Sequence, residues 1–296
     1  MLDNIFLEAL AAVVEEGGFD KAAVKLNISQ SAVSQRIRNF EDQLGRVLLV
    51  RSTPPEPTED GRKLIKHLRS IRLMEYELNE SMGLNTNRGF MTLPVGVNAD
   101  SLASWFMDAV DGFLKEHNVL LDLYVDDENR THEMLRRGEV VGCVGTCSKP
   151  VKGCRSDYLV SFDYICLSSP EFYAKWFSEG INRESVSKAP AALFNRRDVT
   201  QYQMLEKVFP GESFPFPIFY IPSPQAFVDV LCRGLAYGMV PVFQVQSEIE
   251  SGRLIEILPQ GRVPVPLYWH SWNVETELLE SLRRELICYF GKKDTN

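Results

Sequence analysis

Several features are missing from this sequence of 296 residues, and each absence excludes a class of protein. No apolar run approaches the roughly 18 residues of a membrane-spanning helix, so an integral membrane protein is not expected. No basic stretch precedes an apolar one in the first residues, so no secretory leader is indicated. The six cysteines include no CxxC pair, which argues against a disulfide framework. We therefore expect a cytoplasmic protein with reduced thiols.

Enzyme signatures are missing as well. The sequence contains no GxSxG, HExxH, P-loop or GxGxxG arrangement, and it shows no pairing of a nucleophile with a base. Cys143, Cys147 and Cys154 could suggest a metal or redox site, but Cys143 lies in an apolar run, so inert thiols are expected. We predict no catalytic activity, no metal ion and no cofactor.

Positive charge is scarce overall but concentrated near the N-terminus. The 40 acidic residues outnumber the 32 basic ones, and a net charge of −8 argues against a uniformly positive surface that coats nucleic acid. Basic residues nevertheless gather between positions 30 and 72, and phosphate binding requires a local excess of this kind. Alone, such a run also fits a solvated surface. The basic residues of this segment are Arg36, Arg38, Arg46, Arg51, Arg62, Lys63, Lys66, Arg69 and Arg72.

A helix-turn-helix pattern ends near residue 44. A short Ala-rich helix stops at the turn formed by residues 27–29, and a third helix is predicted from Gln30 to Leu44. Its buried stripe consists of Val33, Ile37, Phe40 and Leu44. The other side carries the candidate DNA-binding residues Gln30, Ser31, Ser34, Gln35, Arg36 and Arg38. Amides, hydroxyls and guanidinium groups at this end of a second helix are typical of a recognition helix, because they can bond base edges and phosphates.

A wing is predicted after the third helix. Residues 47–50 form a short apolar strand, and residues 51–57, which include three prolines, form a rigid loop. Arg51 in this loop could reach the DNA backbone or the minor groove, and Pro55 is grouped with it as a candidate DNA-binding residue. The alternative is a small three-helix domain whose Pro-rich loop has no part in DNA binding.

A long fourth helix is predicted from residue 58 to about 82. Residues 58–61 can cap it, and a heptad-like seam along it predicts pairing with a second copy of the chain. The seam residues are Leu64, Leu68, Ile71, Leu78 and Met82. A hinge is expected at residues 85–89. The predicted organisation is a winged helix-turn-helix domain at 1–58, a linker and dimerisation helix at 59–88, and an effector-binding domain at 89–296.

The C-terminal region alternates strand and helix patterns, which predicts α/β layers in two lobes, about 90–162 plus 266–296 and 163–265. One helix is predicted over 101–116 and a short strand over 165–168. Ligands of such folds bind in the cleft between lobes, where strands end and helices begin. The candidate effector-binding residues at these ends are Asp100, Ser101, Asp126, Glu128 and Ser223. Carboxylates would hold cationic groups and hydroxyls a carboxylate, although each residue also fits a helix cap or a solvated loop.

The N-terminal motifs resemble those of the LysR-type transcriptional regulators. The resemblance is carried by residues 29–37, Leu44-Gly45, residues 48–51 and Thr58-Glu59-Asp60-Gly61. It implies an α+β protein with a winged helix-turn-helix, a long linker helix and a C-terminal two-lobed effector domain similar to periplasmic binding proteins. It also implies binding to double-stranded promoter DNA as a homodimer or homotetramer, with RNA polymerase as a further partner. Activation and repression both stay open.

Four further motifs resemble the ArgP/LysG branch of that family, whose members respond to lysine or arginine. They are residues 51–58, 97–105, 135–142 and 267–270. The resemblance implies a basic amino acid as the effector. One position departs from the branch pattern, because Asn195 stands where aspartate is expected. The alternative function is an architectural or origin-blocking DNA-binding protein without an effector, but the acidic and hydroxyl groups at the strand ends favour the sensor.

Overall fold

Three helices form the N-terminal core, α1 (Asn4–Glu15), α2 (Phe19–Leu26) and α3 (Gln30–Leu44). The Ser29 hydroxyl caps α3 by accepting from the N–H of Ala32 at 3.2 Å, and Gly45 ends the helix in the left-handed conformation. Val33, Ile37 and Phe40 of α3 are buried against α1 and α2. A hairpin of β1 (Leu49–Val50) and β2 (Glu56–Pro57) follows. The predicted winged helix-turn-helix is confirmed.

The fourth helix, α4 (Glu59–Ser81), belongs to two hydrophobic cores. Ile65 and Leu68 are buried in the N-terminal core, whereas Leu73 is buried in the core of the C-terminal domain. The predicted seam is therefore wrong at Leu68, which is 1% exposed within its own chain. The large apolar residues that face solvent here are Met74 and Leu78 of α4 and Met82, which directly follows it.

The coordinates are those of a computed structural model, which describes residues 3–84, 89–126, 128–213, 215–274 and 276–291, with only the backbone of 128–130. The predicted hinge at 85–89 thus lies outside the described residues except for Gly89. None of the described helices is long and apolar enough to cross a membrane.

The described part of the C-terminal domain contains one mixed sheet of nine strands, ordered β4-β3-β5-β11-β6-β9-β7-β8 with β10 paired to β6. The strands are β3 (Met91–Val97), β4 (Val119–Val125), β5 (Gly142–Gly145), β6 (Cys154–Ser168), β7 (Ala191–Leu193), β8 (Ile218–Tyr220), β9 (Tyr237–Pro241), β10 (Ile255–Glu256) and β11 (Val263–Trp272). The long antiparallel pair β6 and β11 extends through both lobes. The prediction of a strand over 165–168 captured only the last part of β6.

Helices cover the sheet on both lobes. They are α5 (Ala99–Ser104), α6 (Phe106–Glu116), α7 (Glu128–Arg137), α8 (Pro170–Trp176), α9 (Arg183–Lys188), α10 (Thr200–Val208), α11 (Pro224–Cys232), α12 (Gln246–Glu250) and α13 (Glu277–Gly291). The helix predicted over 101–116 is in fact two helices, because Trp105 interrupts it. The Trp105 ring is 3% exposed and packs into the core of lobe I, the lobe that contains β3, β4 and β5. Lobe II has two apolar clusters of its own, around Phe172 and around Leu231.

The linker helix is fastened to lobe I at the C-terminal end of α7. Gly138 follows α7 at φ +74°, and a Cβ there would lie 2.6 Å from the Cβ of Lys66 on α4. The guanidinium of Arg69 donates to the Gly138 carbonyl oxygen, and the Lys66 ammonium lies 5.1 Å from the ring centroid of Trp272. Only glycine allows this approach without strain. The same helix therefore connects the DNA-binding core to the sensor domain.

Candidate DNA-binding face and effector cleft

The predicted recognition helix, α3, presents most of its candidate residues to solvent. Gln30, Ser31, Gln35 and Arg38 are exposed, whereas Ser34 and Arg36 are half-buried on the flanks of the helix. Two side-chain contacts orient this face. The Gln35 amide donates to Asn39 Oδ1 at 2.7 Å, and the hydroxyls of Ser29 and Ser31 are 2.9 Å apart.

Two hydrogen bonds from Thr58 and a close backbone approach at Gly61 hold the wing against the start of α4. The Thr58 hydroxyl donates to the Val47 carbonyl oxygen at 2.8 Å, and the Thr58 N–H donates to the Leu48 carbonyl oxygen at 2.9 Å. A Cβ at Gly61 would lie 2.2 Å from that Leu48 oxygen, so the position requires glycine. Arg51 stands exposed directly after β1, and Pro55 is half-buried before β2. Residues 58–61 thus fix where the wing points.

A cleft of about 590 Å³ lies between the two lobes. Lobe I contributes Asp100 and Asp126 among others, lobe II contributes Asp198 and Arg197, and the crossing strands contribute Tyr164. Its remaining described lining residues are Asn98, Ala99, Val125, Val144, Gly145, Thr146, Phe194, Asn195, Val199, Thr200, Gln203, Pro222, Pro224, Phe227, Met239, Val240, Pro241, Gln244, Pro264, Val265 and Pro266. A volume of this size suits a single amino acid or a metabolite of similar size.

Two of the five candidate effector residues, Asp100 and Asp126, line the cleft. Ser101 does not, because its side chain is 1% exposed and points into the interior of lobe I. Ser223 does not line it either, since its hydroxyl caps α11 by accepting from the Ala226 N–H at 3.4 Å. Glu128 begins α7, and its side chain lies outside the described residues.

The carboxylate of Asp100 is half-buried and hydrogen-bonded inside the cleft. Its Oδ2 accepts from the Tyr164 hydroxyl at 2.7 Å. Burial raises the pKa of Asp100, the hydrogen bond from Tyr164 opposes that rise, and the negative charge of Asp198 adds to it. Burial and the neighbouring Asp100 also raise the pKa of Tyr164, which keeps its phenol protonated as a donor.

Sequence reasoning missed Asp198, which enters the cleft from the loop between β7 and α10. The Asp198 carboxylate accepts from the N–H groups of Phe194 and Thr200, each at 2.9 Å. Asn195 shapes the same loop, because its Oδ1 accepts from the Arg197 N–H at 2.7 Å and its carbonyl from the Asp198 N–H at 3.2 Å. An acid two residues before a helix is the signal that could have found it. Tyr164 left no such signal.

The cysteines are spread over different environments. Cys143 and Cys166 are buried, Cys147 and Cys288 are exposed, and burial raises the pKa of the Cys154 thiol. Across the described ranges, no cluster of three or more His, Cys, Asp and Glu side chains could hold a metal ion.

A DNA-binding head and a ligand-sized cleft on the same chain define a ligand-responsive transcription regulator. Residues 6–62 match the model of the bacterial regulatory helix-turn-helix proteins of the lysR family, and residues 89–288 match the LysR substrate binding domain. The chain belongs to the LysR family of transcription regulators.

Relatives refine this assignment. The chain is 42% identical over 292 residues to the HTH-type transcriptional regulator ArgP of Pseudomonas aeruginosa, covering 98% of this chain and 97% of the relative. Its fold is similar to the crystal structure of ArgP from Mycobacterium tuberculosis, with 33% identity, a TM-score of 0.86 and coverage of 98% and 97%. It is also similar to full-length LysG from Corynebacterium glutamicum with bound effector Arg, with 28% identity, a TM-score of 0.77 and coverage of 98% and 99%. The resemblance to the ArgP/LysG branch is confirmed, and these relatives are regulators rather than enzymes.

Proposed function

We propose that this regulator binds promoter DNA as an oligomer and that lysine or arginine modulates this binding from the cleft between the lobes. The observation that carries the proposal is the charge of the cleft. Among its described lining residues are three carboxylates, Asp100, Asp126 and Asp198, and one cationic side chain, Arg197. An amino acid with a cationic side chain has a net charge of +1, which complements this surplus of negative charge. The LysG relative with bound effector Arg supports the same chemistry.

The cationic groups of the effector would be held by Asp100 and Asp126, and Glu128 at the start of α7 remains a candidate for the same role. Ser101 and Ser223 are less suited to hold the effector carboxylate, because neither lines the cleft. Polar side chains that do line it, among them Thr146 and Gln244, can donate to a carboxylate.

Calorimetry on the full chain tests this effector. We expect lysine or arginine to bind, and the neutral analogues citrulline and norleucine to bind more weakly. A ligand at 100 times its dissociation constant should also stabilise the protein by about 2.7 kcal/mol in thermal unfolding. If neither basic amino acid binds at millimolar concentration, the effector assignment fails. An unchanged DNA footprint with saturating ligand would favour the architectural, effector-independent function.

On the DNA side, we propose that Gln30, Ser31, Ser34 and Gln35 contact base edges, and that the guanidinium groups hold phosphates. Solvent exposure of the first two turns of α3 supports the base contacts. The proposed phosphate-binding residues are Arg36, Arg38 and, in the wing, Arg51, with Pro55 packed beside them on the DNA.

We also propose that α4 pairs with its counterpart in a second copy, through Met74, Leu78 and Met82, and that two dimers form a tetramer. These side chains are 52%, 58% and 61% exposed and follow one another at intervals of four residues on one face. Leu78→Glu with Met82→Glu should lower the mass measured by light scattering, whereas Asn79→Glu, which places one negative charge beside the stripe, should not. An unchanged mass of the double variant would contradict the pairing.

A regulator of promoters acts together with RNA polymerase, and we place both partners in the cytoplasm. Polymerase footprints on a target promoter, with and without this protein and its effector, would show whether it recruits or excludes the polymerase. A polymerase footprint that never changes would argue against this partnership.

A further inference from the structure

We propose that Asp100 of lobe I and Asp198 of lobe II form a two-lobed clamp for the side-chain cation of the effector, and that Asp198 determines the preference for cationic over neutral amino acids. This inference rests on the proposed function, since it requires an amino acid in the cleft. It adds a specificity-determining residue that the sequence did not indicate.

The lobe I half of the clamp is Asp100. It is held in place by the Tyr164 hydroxyl, which donates to its Oδ2 at 2.7 Å from the crossing strand β6. Tyr164 lines the cleft itself, so the carboxylate and its donor are fixed at the base, where the two lobes are joined. Among the described residues, one side-chain donor, the Tyr164 hydroxyl, bonds this carboxylate, which leaves acceptor capacity for a ligand.

The lobe II half is Asp198, which is hydrogen-bonded within its own loop. Both carboxylate oxygens are engaged by backbone N–H groups, those of Phe194 and Thr200 at 2.9 Å. These two bonds anchor the side chain between the end of β7 and the start of α10. Each oxygen has a second lone pair, so Asp198 can accept from a ligand without releasing the loop.

The two carboxylates interact across the cleft. The charge of Asp198 raises the pKa of Asp100, so the two groups are close enough to repel each other when both are ionised. A guanidinium or ammonium group between them would replace this repulsion with two attractions. Because the carboxylates belong to different lobes, a bound cation favours the closed arrangement, which is how a ligand shifts a conformational equilibrium.

Asn195 stands where aspartate is expected from the ArgP/LysG branch pattern, and this difference is consistent with the clamp. Asn195 uses its side chain to accept from the Arg197 N–H, a turn that aspartate would form equally well. The residue at 195 therefore shapes the loop, and the negative charge of lobe II comes from Asp198. The clamp does not require an acid at position 195.

The test is a specificity ratio measured by calorimetry on the full chain. Arginine and citrulline have nearly the same shape, but only arginine is cationic, so the ratio of their dissociation constants isolates the charge contribution. In Asp198→Asn and in Asp100→Asn we expect this ratio to fall by about tenfold or more. The matched control is Asp108→Asn, which removes an exposed charge of α6 outside the cleft and should leave the ratio unchanged.

The ratio of the two dissociation constants also distinguishes loss of the Asp198 charge from distortion of the loop that contains it. Asparagine at 198 can keep one of the two backbone contacts, so a distorted loop would weaken arginine and citrulline by the same factor. An equal loss of both ligands, or an unchanged ratio, in Asp198→Asn overturns the clamp while wild-type binding of arginine still supports the proposed function. Wild-type protein that binds neither basic amino acid would instead contradict the proposed function itself.

Discussion

The DNA-binding face takes its candidate residues from positions 30–55, whereas the cleft takes its lining residues from positions 98–266. On α3, residues three and four positions apart share a face, so the local sequence already determines the set of exposed side chains. In the cleft, Asp100, Tyr164 and Asp198 come from three different elements, and only the pairing of strands brings them together. Local spacing therefore predicts the exposed face of a helix well and the lining of a cleft between lobes poorly.

The two regions also differ in their contact with water. Arg38 and Arg51 are exposed, so their charges are solvated until DNA replaces the water. Asp100 and Tyr164 are half-buried in the cleft, and their reduced solvation raises the pKa of both. The candidate DNA-binding face thus presents solvated charges, whereas the cleft is a site in which a charge is costly without a ligand.

The largest expected effect tests whether packing of α4 stabilises the hydrophobic core of the N-terminal domain. Leu68→Ala should cost about 2–5 kcal/mol of the free energy of unfolding of the DNA-binding domain, because Leu68 is 1% exposed in that core. Denaturant unfolding measures the loss. Val24→Ala, at a residue 82% exposed, is the control and should change stability by less than about 0.5 kcal/mol. Equal losses of stability in the two variants would show that Leu68 of α4 does not stabilise this core.

The next effect separates base contacts from phosphate contacts within the DNA-binding face. Gln35→Ala should cost about 1–3 kcal/mol on the cognate site and relax the preference at one base position. Arg51→Ala should weaken specific and random DNA alike and reduce the salt dependence. Titrations with both DNAs at several salt concentrations measure this difference. If both variants lose affinity equally for both DNAs, the assignment of roles is wrong.

The third effect concerns pH, and it should appear in the cleft. Only ionised Asp100 attracts a cation, and its pKa is raised above the ordinary value by burial. Arginine affinity should therefore weaken as the pH falls through this raised pKa, by up to about tenfold per pH unit for a single proton. Calorimetry from pH 8 to pH 5 measures the slope. The slope should diminish in Asp100→Asn, and an identical slope in that variant would assign it to another group.

The smallest effect is a gain in stability. A carboxyl whose pKa is raised on folding contributes most below its unfolded pKa, and the contribution is lost as the pH rises through the folded pKa. At neutral pH, Asp100→Asn should therefore stabilise the ligand-free protein, by about 0.5–2 kcal/mol, while arginine binding is weakened. Asparagine can still accept from Tyr164. Thermal unfolding without ligand checks this, and a lower melting temperature would contradict the cost assigned to Asp100.

The sequence predicted the elements whose ends are chemically marked. The bounds of α3 were predicted correctly because Ser29 caps it and Gly45 ends it. The helix over 101–116 was predicted without its break, because Trp105 continues the apolar pattern of the sequence although it separates α5 from α6. Their positions at helix starts make Ser101 and Ser223 candidate effector-binding residues. The Ser101 side chain is instead buried inside lobe I, and the Ser223 hydroxyl caps α11.

Tyr164 and Asp198 could not be predicted, because their roles depend on distance in space. Tyr164 reaches Asp100 only because β6 extends through both lobes, and the local pattern predicted only the last part of that strand. Asp198 has the local pattern of a loop residue near a helix start. Its place in the same cleft as Asp100 depends on how the two lobes face each other.

The linker helix α4, with one end in each core, is also a mechanical lever. Its 23 residues give a rod of roughly 35 Å at about 1.5 Å per residue. A tilt of about 10° about the C-terminal end of this rod would carry its N-terminal end by about 6 Å. That displacement exceeds the roughly 3.4 Å rise of one base pair along a DNA strand. A closure of the cleft by a small angle is therefore large enough, at the end of this arm, to move a recognition helix out of register with its site.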